Sequence, residues 1–262
     1  MNNNESKIMN LMLNWPENQL ITQKWLDSIN ISRQLANKYA KTGWIEKIDR
    51  GLYKKKNTKI YWESLVARLQ NDNILQTHLG ANTAIDIHSL NHYISMGDNY
   101  HLWLYKDEET NKNLPSWFQK SLDSNCTLHF MKRKLFDCEI KKSLQTKLVE
   151  NQNLLVSTKE RAILELLSLC PQHYSLEYCM FIMENMLSLN PSLLQKLLES
   201  CNSDKVKKLF FLLAEHEDHA WFKRLNKSKI SFKRNKVIVE ENKHYYKKYN
   251  ISTSIQFTIK KE

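Results

Sequence analysis

The chain has 262 residues, 42% hydrophobic and 26% charged, which suits a packed core and excludes wholesale disorder. Its 39 Lys/Arg against 28 Asp/Glu leave a net charge of +11, a surplus that favours polyanionic partners. Gly43, Gly51, Gly80 and Gly97 are the only glycines, and their spacing excludes the Gly-rich dinucleotide and P-loop phosphate cradles.

H-E-x-x-H and G-x-S-x-G are missing too. With no run of about 18 apolar residues, no membrane-spanning helix is expected. The start, Met1-Asn2-Asn3-Asn4-Glu5, lacks the basic-then-apolar pattern of a secretion signal, so a cytoplasmic protein is expected. The five cysteines, Cys126, Cys138, Cys170, Cys179 and Cys201, are odd in number and form no C-x-x-C. They read as free thiols, with no disulfide framework, zinc site or cofactor expected.

Charge segregates along the chain. Residues 1–58 hold ten Lys/Arg against five Asp/Glu, residues 59–150 hold eleven of each, and residues 151–262 hold eighteen against twelve. The last surplus concentrates in residues 223–261, with twelve Lys/Arg and only Glu240 and Glu241 as acids.

In chain order, Ile8, Leu11 and Met12 set a short helix over Lys7 to Asn14, ended by Trp15-Pro16. Thr22 caps a second helix that buries Trp25, Leu26 and Ile29. Asn30 suits the left-handed turn that follows. Ser32 caps a third helix, Arg33 to Thr42, which Gly43 closes. One side of this helix carries Leu35, Ala36 and Tyr39. The other presents Arg33, Gln34, Asn37, Lys38 and Lys41, the side chains that pair with guanine, adenine and phosphate. Trp44 to Ile48 alternates like a strand, Asp49-Arg50-Gly51 is a turn, and Leu52-Tyr53-Lys54 alternates back into Lys54-Lys55-Lys56. Leu11, Trp25, Leu26, Leu35, Tyr39, Trp44 and Ile48 are the expected core. Three short helices and a basic hairpin predict a winged helix-turn-helix that binds double-stranded DNA. The predicted DNA-binding residues are Ser32, Arg33, Gln34, Asn37, Lys38, Lys41, Arg50, Lys54, Lys55 and Lys56.

The string Trp25-Leu26, Ser32-Arg33-Gln34-Leu35, Tyr39, Gly43-Trp44-Ile45-Glu46 and Arg50-Gly51-Leu52-Tyr53 resembles the winged-helix domain of AbiEi-type antitoxins, transcriptional regulators of type IV toxin–antitoxin and abortive-infection operons. Asn30 stands where that family usually has a turn glycine.

Further on, helices are expected over Trp62 to Asn71, from the turn His78 to Ile85 up to about Asn91-His92-Tyr93-Ile94, and over Ser116 to Leu122. Strands are expected at His101 to Tyr105 and Cys126 to Met131, giving a small mixed sheet. From Thr158 the pattern is helical: an apolar face through Ala162, Ile163, Leu166, Leu167 and Cys170 up to Pro171, then Leu176 to Leu187, Pro191 to Cys201, and Asp204 to Glu215 with Asp204 as its cap. Lys236 to Val239 and Ile255 to Ile259 read as strands. The fold class is therefore α+β, a winged helix-turn-helix over 1–58 followed by a helix-rich mixed α/β domain over 59–262, with a possible sub-boundary near 150.

The resemblance continues through Trp62, Leu69-Gln70, Asn91-His92-Tyr93, Glu160 to Leu167, Leu197 to Cys201, Lys205 to Phe210 and His219-Ala220-Trp221-Phe222. Two departures stand out. Gly80-Ala81 replaces a glycine pair, and Phe232-Lys233-Arg234-Asn235-Lys236 replaces a Gly-Lys-Arg turn.

Other constellations are weaker. His216 and His219 offer metal ligands at i and i+3 without a third donor. Asp123 with Glu139-x-Lys141 has the loose shape of a Mg²⁺ nuclease site and is the alternative, enzymatic reading. A winged-helix regulator without a toxin is another. Cys170, Cys179 and Cys201 read as core, the tryptophans mostly as packing, and base stacking on exposed aromatics has no clear sequence signal. The sequence thus predicts a non-enzymatic regulator without cofactor or metal. The resemblance implies an antitoxin that represses its own operon and counters a nucleotidyltransferase-like toxin. Lys223, Arg224, Lys233, Arg234 and Lys236 form a second basic patch, expected to serve the toxin-countering role or to bind a second polyanion such as RNA.

Overall fold

The computed structural model describes residues 3–71, 74–90, 99–106, 113–132 and 134–259. The chain divides into two compact units. The first comprises Met1–Gln76, Glu108–Cys126 and Leu148–Leu154, and the second Thr77–Asp107, Thr127–Lys147 and Leu155–Glu262.

The first unit opens with α1 (Asn3–Asn14), β1 (Ile21–Thr22), α2 (Gln23–Ser28), α3 (Arg33–Lys41), β2 (Ile45–Asp49) and β3 (Leu52–Lys55). The strands form a sheet of order β1-β3-β2. This is the helix, strand, helix, helix, strand, strand order of a winged helix. Local chemistry accounts for each boundary. Thr22 caps α2 by accepting from Trp25 N–H, and Ser32 caps α3 by accepting from Leu35 N–H, each satisfying an N–H that no helical carbonyl can reach. Asn30 takes φ 61° in the turn between these helices. Past α3, Gly43 takes φ 76°. Trp44 N–H then bonds Tyr39 C=O at 2.9 Å, the wrap-around bond of a Schellman C-cap. The core gathers Leu11, Trp15, Ile21, Leu26, Ile31, Ala36, Tyr39, Ile45 and Tyr53. Trp44 is not part of it and is 53% exposed. In a strand, neighbours point to opposite faces, and Ile45 takes the core face. Strand β1 was also unforeseen, being too short to show alternation.

α4 (Trp62–Asn71) matches its expected span, and α6 (Ser116–Ser121) ends a residue early. The second unit holds most of a five-stranded sheet of order β6-β5-β4-β8-β7, built from β4 (Thr77–Leu79), β5 (Tyr100–Lys106), β6 (Cys126–Met131), β7 (Leu144–Val149) and β8 (Gln152–Ser157). β4 runs antiparallel to β5 and parallel to β8, so the sheet is mixed as expected. His78-Leu79 lies in a buried strand where a turn is expected, and α5 (Ala81–Ile87) follows directly. The predicted helix end at Asn91–Ile94 lies outside the described residues. The hairpin of β7 and β8 was also missed. Its turn, Glu150-Asn151, puts both residues at positive φ (44° and 62°), a mirror-image turn that a sequence signals clearly only with Asn-Gly or Asp-Gly.

The helices are α7 (Lys159–Leu169), α8 (Leu176–Glu184), α9 (Pro191–Ser200) and α10 (Asp204–Glu217). Ser203, not Asp204, caps α10, accepting from Val206 N–H at 3.4 Å. The tail forms β9 (Val237–Val239), β10 (His244–Tyr246) and β11 (Ile251–Thr253), a sheet of order β10-β11-β9. The expected strand at Ile255 to Ile259 does not form. Its N–H groups are taken by side chains instead: Phe257 N–H donates to the Tyr246 hydroxyl at 2.5 Å and Thr258 N–H to His216 Nδ1 at 3.1 Å.

A buried polar hub ties the second unit together. Glu165 of α7 accepts from Arg161 Nε (2.7 Å), Ser157 Oγ (2.8 Å) and Ala81 N–H (3.0 Å), and its Oε1 lies 2.9 Å from His78 Nε2. Burial raises the carboxyl pKa, but His78 and Arg161 outweigh it and hold the group at about 2. Gly80 sits against this hub. A Cβ there would lie 2.4 Å from Glu165 Oε2 and 2.6 Å from the Tyr105 ring.

Candidate nucleic-acid interface

The N-cap at Ser32 sets the rotation of α3, and Ala36 and Tyr39 anchor its inner face. That leaves Arg33, Gln34, Lys38 and Lys41 exposed, with Asn37 half-buried beside them. No acidic residue lies on this helix. The hydroxyl of Ser32 already serves the cap, so its part in an interface is to orient the helix.

The wing turn places Arg50 in the open, with Gly51 at φ 73°. Arg50 N–H donates to Asp49 Oδ1 at 2.6 Å, which pins the turn. Of the three wing lysines, Lys56 is exposed while Lys54 and Lys55 are half-buried. Lys54 is paired with Glu46 across the hairpin at 3.0 Å. Burial works against ionisation of Glu46, yet Lys54, the Asn57 N–H and Lys56 lower its pKa. Lys54 thus offers a polyanion less charge than Arg50 or Lys56.

Gln23, which the sequence does not single out, joins the wing to the turn before α3. Its N–H donates to Gly51 C=O at 2.8 Å, its Oε1 accepts from Tyr53 OH at 3.3 Å, and its Nε2 donates to Ile31 C=O at 3.1 Å and Asp27 Oδ1 at 2.9 Å. One side chain therefore links the wing to the turn that launches α3. Nothing in the sequence marks this residue, because its partners lie up to thirty positions away.

In the second unit, Lys223 and Arg224 lie in a single 3₁₀ turn, Phe222–Arg224. Lys223 is 3.5 Å from Asp218. Lys233, Arg234 and Lys236 are exposed on the segment leading into β9. Buried lysines of α10 hold that segment: Lys207 Nζ donates to Ser231 C=O at 2.7 Å and Lys208 Nζ to Asn235 C=O, while Asn250 Nδ2 donates to Arg234 C=O. The backbone is fixed from beneath while the charged side chains face outward.

Asp123 belongs to the first unit and pairs with Lys59 at 2.5 Å, whereas Glu139 and Lys141 are exposed residues of the second. His216 and His219 spend ring nitrogens on Thr258 and on Met183 C=O. Among the described residues no His/Cys/Asp/Glu cluster could hold a metal ion. Cys170, Cys179 and Cys201 are buried, as expected of core thiols. Among the described residues no helix is long and apolar enough to cross a membrane.

A helix-strand-helix-helix-strand-strand unit with an acid-free basic face on its third helix, joined to a helix-rich α/β unit, is a build found among transcriptional regulators. Family comparison makes this specific. Residues 4–96 match the family described as transcriptional regulator, AbiEi antitoxin N-terminal domain, and residues 99–254 that described as transcriptional regulator, AbiEi antitoxin, type IV TA system. The chain belongs to the AbiEi family of antitoxin transcriptional regulators. Its fold is similar to the crystal structure of the RV2827C protein from Mycobacterium tuberculosis, with a TM-score of 0.63 at 12% identity, over 96% of this chain and 92% of that one. No curated protein matches it.

Proposed function

We propose that the chain represses its own operon by binding double-stranded operator DNA, and that it counters a nucleotidyltransferase-like toxin encoded beside it. The observation that carries the DNA reading is the acid-free outer face of α3, with Arg33, Gln34, Lys38 and Lys41 all exposed. In this reading α3 enters the major groove, Gln34 and Asn37 meet base edges, and Lys38, Lys41, Arg50, Lys55 and Lys56 meet phosphates. The division of labour follows residues 1–58 and 59–262: operator binding in the former, toxin countering in the latter, with Lys223, Arg224, Lys233, Arg234 and Lys236 as a second basic surface. Anisotropy titrations against the chain's own upstream region and against random duplex test the first part. Gln34→Ala and Asn37→Ala should each narrow the gap between the two by about 5- to 100-fold. Unchanged preference in both variants would unseat α3 as the recognition helix.

A further inference from the structure

The C-terminal sheet has an outer face with no role assigned so far. Cross-strand register aligns Tyr245 with Ser252 and Ser252 with Ile238, and side chains in register share one face of a sheet. Tyr246, Ile251 and Val239 are buried on their own rows. Tyr245 and Ile238 are 53% and 54% exposed, an aromatic ring and an aliphatic side chain left in water on the two strands that flank β11. Between them Ser252 is fully buried, and its Oγ has no hydrogen-bond partner among the described residues.

Cations frame this face. Lys236 Nζ lies 5.0 Å from the Tyr245 ring centroid and donates to Asn242 Oδ1 at 2.9 Å. The Tyr245 hydroxyl donates to Asn250 Oδ1 at 3.0 Å, and the amide of Asn250 holds the Arg234 carbonyl. Ring, lysine and arginine segment are thus linked and pre-set. The two nearby acids are occupied: Glu241 pairs with Lys243 at 2.5 Å, and Glu240 accepts from Leu176 N–H at 2.7 Å and from the Ser254 hydroxyl.

We propose that this face binds single-stranded nucleic acid, with a base stacking on Tyr245, the strand's next apolar surface packing on Ile238, and phosphates meeting Lys236 and Arg234. A duplex keeps its base faces stacked inside the helix and shows only base edges and phosphates, so it gives an exposed ring no base face to stack on. An unpaired strand offers both a flat apolar base and a phosphate within one nucleotide, the pairing this face presents. The inference names the partner of the second basic surface proposed above and does not depend on the winged helix.

The test uses the full chain and fluorescein-labelled oligouridine of about 16 nucleotides, with unrelated duplex as the comparator. Tyr245→Ala should weaken binding to the single strand by about 5- to 150-fold and leave duplex binding within twofold. Tyr245→Phe keeps the ring but loses the bond to Asn250, and should retain most of the binding that Tyr245→Ala loses. Charge reversal at Arg234 and Lys236 should weaken single-strand binding and flatten its salt dependence. If Tyr245→Ala binds the single strand normally while the charge-reversed protein does not, stacking is wrong and a plain phosphate surface remains. If neither change matters, the basic surface has no nucleic-acid role and this inference falls, while the toxin-countering reading stands or falls by growth rescue. Equal losses for single strand and duplex in Tyr245→Ala would also overturn the inference.

Discussion

Gly80 is the residue at which backbone and chemistry meet most tightly. The atoms a Cβ would strike cannot retreat: Glu165 Oε2 is held by Ser157 and Ala81, and the Tyr105 ring stacks on His78. Gly80→Ala should therefore cost about 2–3 kcal/mol of stability, read as a lowered denaturation midpoint at unchanged slope. The next residue, Ala81, sits at φ 44°, where glycine is at ease. Glu165 sets an acid limit. Its folded pKa of about 2 lies below its ordinary value of 4.5. The stabilisation is thus fully present above about pH 4.5 and is lost as pH falls toward 2. Glu165→Gln should flatten that acid limb of the stability curve. At neutral pH it should cost about 3–5 kcal/mol, because Arg161 and His78 lose the charge they face.

At the scale of elements, α3 and the wing work only if their relative placement is set, and Gln23 links them. Gln23→Ala removes the side-chain bonds to Ile31 and Tyr53 but keeps the backbone bond to Gly51. The winged helix should stay folded on its apolar core and lose about 0.5–1.5 kcal/mol per missing bond. Operator affinity should fall further than stability does, while affinity for random duplex changes little. Equal falls for both sequences would mean that Gln23 serves folding alone. The wing lysines should also divide. Lys56→Ala should lower the slope of log affinity against log salt by about one. Lys54→Ala should do less, since Glu46 already neutralises Lys54.

At the scale of the whole molecule, the two basic surfaces predict separable losses in the full chain. With Gln34 and Asn37 both changed to alanine, repression of a reporter under the chain's own promoter should fail. Growth rescue should persist when the toxin is expressed from an unrelated promoter. Charge reversal of Lys233, Arg234 and Lys236 should do the opposite. If the recognition-helix variant also loses rescue under that independent promoter, antitoxicity does not reside in the C-terminal surface alone.

Some of this was legible from residue order because the determining interactions are local. Thr22 and Ser32 cap helices with their own side chains, Asn30 and Gly43 adopt turns by their own conformational freedom, and the helical spacing of Ala36 and Tyr39 separates a packed face from a basic one. These interactions span four residues or fewer, so the first three helices, the hairpin and the basic outer face of α3 could be read directly. The tertiary structure decided whatever depends on distant partners. Trp44 is apolar in sequence yet lies outside the core, because Ile45 takes the inward register. Gln23 becomes a tether only once the wing returns beside α2. Lys207 and Lys208 look like surface charge but are buried under the 231–235 backbone. Tyr245 and Ile238 come onto one face only through β11 between them, since pairing across a sheet joins residues that no local periodicity connects.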